Sequence, residues 1–194
     1  MYFIKRMIRT VNSLDKIAIV WDDAYERNLR PEGCAITWWR HDKKDKVGKM
    51  AESGFPLILC PRKPLYFDFV QHDRDKVGRR WDGFCPLEDV YAFPESKYEE
   101  WGVGEEELRT VLGMQANVWG ELVHNSDRVD YMSFPRIIAM AETSWTKPEQ
   151  KDYDSFLKRL ENAYKYMDGL GIYYFDARNP EAHKEPAGPV MVKH

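Results

Sequence analysis

No run in the chain is long and apolar enough to span a bilayer. Neither sign of charge is in excess. Lys and Arg number 29 against 32 Asp and Glu, a net charge of -3, so no basic field exists to hold nucleic acid. Cysteine is scarce. Cys34, Cys60 and Cys85 are odd in number, widely spaced and without a CxxC pair, so neither a zinc site nor a disulfide framework is indicated. Three reduced, buried thiols are the expectation, and no metal or other cofactor is called for. There is no internal repeat. The opening MYFIKRMIRTVNSLDK lacks the continuous apolar stretch and the small-residue cleavage site of a secretory leader, and the sequence leaves the compartment open. With 194 residues the chain has room for one domain and a sizeable core, but hardly for two.

Aromatic residues are plentiful. They make up 14% of the chain and include seven tryptophans, whose flat faces suit stacking on sugar rings or bases as well as core packing. Apolar spacing predicts a helix over 2–12, and short β-branched or apolar runs predict strands over 16–21, 34–39 and 56–60. A helix is expected over 45–53, stopped by Gly54. The stretch 62–104 is too long for a simple connection, and reads as a functional loop with short helices. A fourth strand is expected over 111–119. A helix over 128–145 should kink or break at Pro135, and another over 153–170 is closed by Gly171. The tail, 177–194, is rich in Pro, Lys and Glu and reads as loosely ordered.

Strands alternating with helices imply an α/β fold with a parallel sheet. Polar and aromatic residues gather at the C-terminal strand ends: Trp21-Asp22-Asp23, Trp38-Trp39-Arg40, Tyr66 and Asp68 beyond PLILCP, and Trp119 with Glu121. An α/β barrel and an open α/β sheet both bind ligands at that edge. The barrel explains better why four consecutive strands each contribute. In GMQANVWGELV, the alternation of Gln115, Asn117, Trp119 and Glu121 would put amides, indole and carboxylate on one strand face, which does not suit a core.

Plainer roles compete for several of these residues. Trp119 could be a core tryptophan, Tyr66 a loop packing residue, and Glu121 a solvated or capping carboxylate. Asp22 and Asp23 could cap the next helix. Trp38 and Trp39, adjacent on a strand, face opposite ways, so one should pack and one should face the ligand. His41 and His124 read as surface or loop histidines. Glu142 reads as a structural partner of Arg136 or another base, and Trp81, Trp101 and Trp145 as packing.

The order WDDA, ITWWR, ESGFPLILCP, PLYFDF, QANVWGE and RVDYMSFPRIIAMAETSW resembles glycoside hydrolase family 20, the β-N-acetylhexosaminidases, over residues 2–170. The resemblance implies a (β/α)8 barrel of which only strands five to eight, with their helices, are present in 1–176. Such a barrel takes about 250 residues, and four strands cannot close it. It implies a retaining, substrate-assisted exo-hydrolase acting on terminal β-linked N-acetylhexosamine, in which the 2-acetamido oxygen attacks the anomeric carbon. The Asp-Glu pair that does this chemistry would lie upstream of Met1. No such pair in an HxGxDE-like context occurs in the chain, and WDDA has Asp23 where the family usually has Glu. The remaining pocket is implied residue by residue. Tyr66, the catalytic member, donates to the acetamido carbonyl. Trp21, Trp39 and Trp119 box the acetamido methyl and the ring, and Asp68 and Glu121 accept from outer hydroxyls. The implied partner is an N-acetylhexosamine-terminated glycan, with no nucleic acid and no membrane, and self-association of the open half-barrel is a further expectation. The alternative is a catalytically silent carbohydrate-binding half-barrel.

Overall fold

The computed structural model describes residues 1–81 and 83–188. In chain order its regular elements are α1 (Tyr2–Asn12), β1 (Ala18–Trp21), β2 (Cys34–Trp38), α2 (Asp45–Glu52), β3 (Leu57–Leu59), the distorted turn α3 (Arg62–Leu65), α4 (Leu87–Ala92), α5 (Tyr98–Trp101), α6 (Glu105–Leu108), β4 (Val111–Met114), α7 (Ser126–Ser133), α8 (Arg136–Trp145) and α9 (Tyr153–Leu170). The chain divides into two compact units. One comprises Met1–Arg62 and Pro94–Gln115, the other Lys63–Phe93 and Ala116–His194.

The first unit holds a parallel sheet in the order β1-β2-β3-β4, and the fold is α/β. Ala18 pairs with Cys34, Ile36 with Leu57, and Leu57 with Val111. Strand β2 is inner and buried along its whole length. A strand covered on both faces reads as a continuous apolar run, and CAITW does so. Trp38 is fully buried and meets Trp101 edge-on, with ring centroids 4.6 Å apart. Burying such a ring contributes about 2–3 kcal/mol. Edge strands β1 and β4 leave Ile19 and Leu112 exposed. The Asn12 side-chain amide, at the end of α1, donates to Lys16 O and Gly33 O at 2.8 Å each.

The fourth strand stops at Met114 rather than at 119. Gly113 has φ +153, and the pairing with β3 shifts register between Leu57 and Ile58. Beyond Gln115 the backbone finds other partners: Asn117 N–H donates to Leu65 O (2.9 Å) and Phe67 N–H to Asn117 O (2.7 Å). The alternation from Gln115 to Glu121 is therefore not one face of a regular strand.

The second unit is helical, with long irregular segments. The break at Pro135 separates α7 from α8 as expected. Carbonyls freed by a broken helix need donors. The Gln71 amide supplies them, to Tyr131 O and Phe134 O. Helix α9 buries Phe156, Leu160, Tyr164 and Met167, one stripe of a 3.6-residue period. The Asp152 carboxylate caps it by accepting from Ser155 N–H (3.0 Å), and Gly171 ends it in the left-handed region. Glu142 pairs with Arg159 and accepts from Tyr91 OH, not from Arg136. Trp101 packs as expected. Trp81 and Trp145 are 63% and 92% exposed, which does not fit the packing role expected of them.

Residues 177–188 of the tail form no helix or strand, in keeping with their composition. They are nonetheless fastened. The Glu185 carboxylate accepts from Lys76 and Val77 N–H (2.8 Å each) and from the Arg128 guanidinium (3.1 Å). Residues 189–194 lie outside the described residues. The three cysteines are buried and free of disulfides.

Candidate functional site

The densest chemistry in the second unit centres on the Tyr66–Phe69 segment. This irregular backbone is held by Arg136 from the first turn of α8. Arg136 is fully buried and donates to the carbonyls of Phe67 and Phe69, which flank Asp68, and to those of Cys85 and Met132. Its guanidinium lies over the Phe67 ring, 4.7 Å from the centroid. Burial lowers its pKa to about 10, so the cation persists at neutral pH, solvated by carbonyl dipoles.

On this support Tyr66 is 7% exposed, and its ring meets Trp119 at 5.6 Å and 61°. Trp119 keeps a third of its surface open. Asp68 is buried, and its Oδ2 is paired with Arg79 Nε. Its Oδ1 is buried with no hydrogen-bond partner among the described residues. Burial pushes the Asp68 carboxyl above the usual range, and Arg79 opposes this. The same guanidinium reaches Glu121 Oε1 through its second terminal nitrogen, at 2.9 Å. Glu121 stands in a 3-10 turn, Gly120–Leu122, and is largely exposed. Arg79 also lies over Trp81, 5.4 Å from the ring centroid, and Trp81 stacks on Phe69.

Gly78 lets Arg79 come so close. Its φ is +146, and a Cβ there would sit 2.6 Å from Val70 Cγ1 and 3.3 Å from Asp68 O. Arg79 N–H then donates to Asp68 O (2.8 Å), and Val70 N–H to Arg79 O (3.0 Å).

The first unit carries the other predicted residues. Trp21 ends β1 in register with Thr37, two residues before Trp39. Trp21 is 38% exposed and Trp39 half-buried, whereas Trp38 is the packing member of its pair. The Trp39 indole N–H donates to Asp23 (2.9 Å), and Arg62 covers its ring at 5.2 Å. Asp22 is buried and accepts from Arg40 Nε at 2.9 Å. Desolvation raises its pKa. Neither aspartate caps the following turn with its side chain, contrary to the capping role considered for them. They hold Arg40 and the Trp39 indole instead.

Within the second unit the structure thus brings Tyr66 to Trp119 and links Asp68 to Glu121 through Arg79. Trp21 and Trp39 belong to the first unit. Sequence reasoning missed Arg79 and Arg136. Arg79 sits in an aperiodic loop, and its only signal was a base some ten residues after an acid. Arg136 follows Pro135 on an otherwise apolar helix face, where a base would need a carboxylate; it uses carbonyls. Among the described residues no three His, Cys, Asp or Glu side chains are grouped to hold a metal ion.

Residues 1–148 match the family model described as glycosyl hydrolase family 20, catalytic domain. The chain belongs to that family. A beta-hexosaminidase of Porphyromonas gingivalis is 34% identical over 174 residues, 89% of this chain and 22% of that protein. A beta-N-acetylhexosaminidase of Cellulomonas fimi is 28% identical over 84% of this chain and 32% of its own length. The chain therefore spans between a fifth and a third of these relatives. The family 20 exo beta-N-acetylglucosaminidase of Vibrio harveyi, solved in complex with N-acetylglucosamine, superposes with a TM-score of 0.80 at 27% identity, over 91% of this chain and 27% of that one. The beta-N-acetylhexosaminidase of Streptomyces coelicolor A3(2) gives 0.79 at 25% identity, over 92% and 36%. This family 20 chain thus shares the α/β fold of these solved structures.

Proposed function

We propose that this family 20 chain is the sugar-holding part of a retaining exo-β-N-acetylhexosaminidase, corresponding to strands five to eight of a (β/α)8 barrel. The catalytic Asp-Glu pair would be supplied by sequence preceding these strands. The substrate is a glycan ending in β-linked N-acetylglucosamine or N-acetylgalactosamine. The observation that carries the reading is the Tyr66–Trp119 contact beside the Asp68–Arg79–Glu121 bridge, in the family's motif order.

Tyr66 carries a phenolic hydroxyl that can donate a hydrogen bond. Its hydroxyl would hold the acetamido carbonyl in line with the anomeric carbon, which raises the effective concentration of the substrate's own nucleophile. Trp119 offers a flat apolar face to the acetamido methyl or the pyranose C–H face. Asp68 and Glu121 would accept from the outer hydroxyls in charge-assisted bonds, each contributing roughly 1.5–3 kcal/mol. Without the acid that protonates the leaving oxygen, the chain alone is expected to bind sugar but not to turn it over. Ile19 and Leu112 are exposed on the two edge strands, and Ile17 just before β1, which favours self-association, measurable by sedimentation velocity.

The test has two arms. Aryl N-acetyl-β-glucosaminide is offered to the chain alone, and N-acetylglucosamine binding is followed by calorimetry with Tyr66→Phe and Glu121→Gln as controls. Binding without turnover, weakened in both variants, supports the reading. Turnover by the chain alone would overturn the upstream acid, and absence of binding would overturn the sugar site.

A further inference from the structure

We propose that Arg79 is the positioning residue of this site: its guanidinium clamps Asp68 and Glu121 so that Asp68 Oδ1 is left as the acceptor for a hydroxyl of the bound sugar. The inference rests on the reading of the cluster as a carbohydrate site.

Three observations carry it. The first is the geometry of the fork. One planar guanidinium holds Asp68 Oδ2 through Nε and Glu121 Oε1 through a terminal nitrogen, joining two segments that are far apart in the chain. A lysine could not span both in fixed orientation, because it lacks the rigid fork. The second is the orphaned oxygen. Asp68 is 1% exposed, yet Oδ1 has no partner among the described residues. A buried acceptor without a donor is costly, and a sugar hydroxyl would meet that need. The third is the construction of the clamp. Gly78 admits the close approach, backbone bonds run from Arg79 to Asp68 and from Val70 to Arg79, and Trp81 covers the guanidinium.

The charge of the acceptor depends on this clamp. Asp68 is surrounded by Arg79, by Glu121, by the buried Arg136 and by the Cys85 thiol. Desolvation and Glu121 favour its neutral form, and Arg79 supplies the main opposition by hydrogen bond and charge. Without Arg79 the carboxyl would hold its proton to higher pH and accept less well from a hydroxyl. Glu121, no longer tied, would lose its fixed direction.

The test uses the full chain with Arg79→Met and Arg79→Lys, reading the Asp68 carboxyl by carbon NMR and N-acetylglucosamine affinity against pH. Arg79→Met should move the Asp68 midpoint upward and weaken binding by about 10-fold or more, with part of the loss recovered as pH rises. Arg79→Lys should restore the midpoint but only part of the affinity, since it keeps the charge and loses the second carboxylate. An unmoved Asp68 midpoint in Arg79→Met overturns the proposal, as does wild-type affinity with an unchanged pH profile. If Arg79→Met does not fold, Arg79→Lys with wild-type affinity overturns it by itself. Failure of the wild-type chain to bind sugar would sink the carbohydrate reading, and the Asp68 titration would still decide whether Arg79 governs the carboxylate.

Discussion

Replacing Arg136 with leucine should cost more stability than any surface change in this protein. The guanidinium donates to four carbonyls, those of Phe67, Phe69, Cys85 and Met132. Hydrogen bonds to a charged group contribute about 1.5–3 kcal/mol each, so the gross gain is on the order of 6–12 kcal/mol. Burial offsets part of this. The fall of the Arg136 pKa from 12.5 to about 10 corresponds to roughly 3 kcal/mol. Leucine would remove the buried charge but leave four carbonyls without a donor. The difference is about 3–9 kcal/mol, and the usual cost of breaking a buried charged network, about 3–5 kcal/mol, takes its lower half. Total stabilities run at about 5–15 kcal/mol, so the loss is severe. The assay is urea unfolding followed by tryptophan fluorescence. With a slope of about 2–3 kcal/mol per molar, the midpoint should fall by roughly 1–2 M. Arg136→Lys should fall between the two, because an ammonium has three donors and no plane. A midpoint for Arg136→Leu within about 0.3 M of wild type would refute the reasoning, since at this slope it would mean a loss under about 1 kcal/mol.

Gly78→Ala should destabilise by about 1–3 kcal/mol, because it forces a Cβ against Val70 at a φ that suits only glycine. The same urea assay reads it, and a neutral result would mean that the 78–81 segment yields easily. Asp22, Asp68 and Asp75 all have carboxyl pKa values raised above the ordinary 3.8, with burial as the leading cause. The folded chain therefore holds protons on them that the unfolded chain has released, so their contribution to stability is largest at low pH and declines as pH rises above about 4. Asp75→Asn should flatten that decline in thermal melts, and an unchanged slope would count against it. Cys34, Cys60 and Cys85 should react with a disulfide reagent in urea far faster than in the folded state. Cys85 should be the slowest, its pKa being pushed to about 12 by burial. Rapid labelling of all three in buffer alone would contradict their burial.

Much of the fold was legible because its signals are local. Helices α1 and α9 begin and end where apolar spacing and Gly171 place them. Strand β2 was legible as an apolar run, and the separation of Trp38 from Trp39 followed from strand alternation. Strand β4 was overextended because nothing local reveals a register shift: the pairing skips Leu112 and ends at Met114, and Asn117 then bonds to a segment some fifty residues earlier. The candidate site divides in the same way. Tyr66, Asp68, Trp119 and Glu121 could be singled out from motif order. The arginine that joins two of them could not, since its place depends on a loop crossing that only the folded backbone defines. The stack of Trp81 on Phe69 is likewise a tertiary contact that no periodicity announces.

The arginines of the second unit share one physical task. Its segment from Lys63 to Phe93 contains little regular structure, so many carbonyls lack the partners that a helix or sheet would provide. Guanidinium groups answer this with several donors in a fixed plane. Arg136 serves four carbonyls. Arg128, also fully buried, donates to Val77 O and Pro186 O and pairs with Glu185. Arg74 donates to His183 O. Arg74 also pairs with Asp75 and Glu181, whereas Arg79 gives its side-chain donors to Asp68 and Glu121, beside Tyr66 and Trp119. The first three order irregular backbone, while the fourth gives its donors to the two carboxylates proposed to bind the sugar. That difference separates scaffold from site. Losing Arg128 or Arg136 should lower stability, whereas losing Arg79 should lower ligand affinity with a much smaller change in the unfolding midpoint.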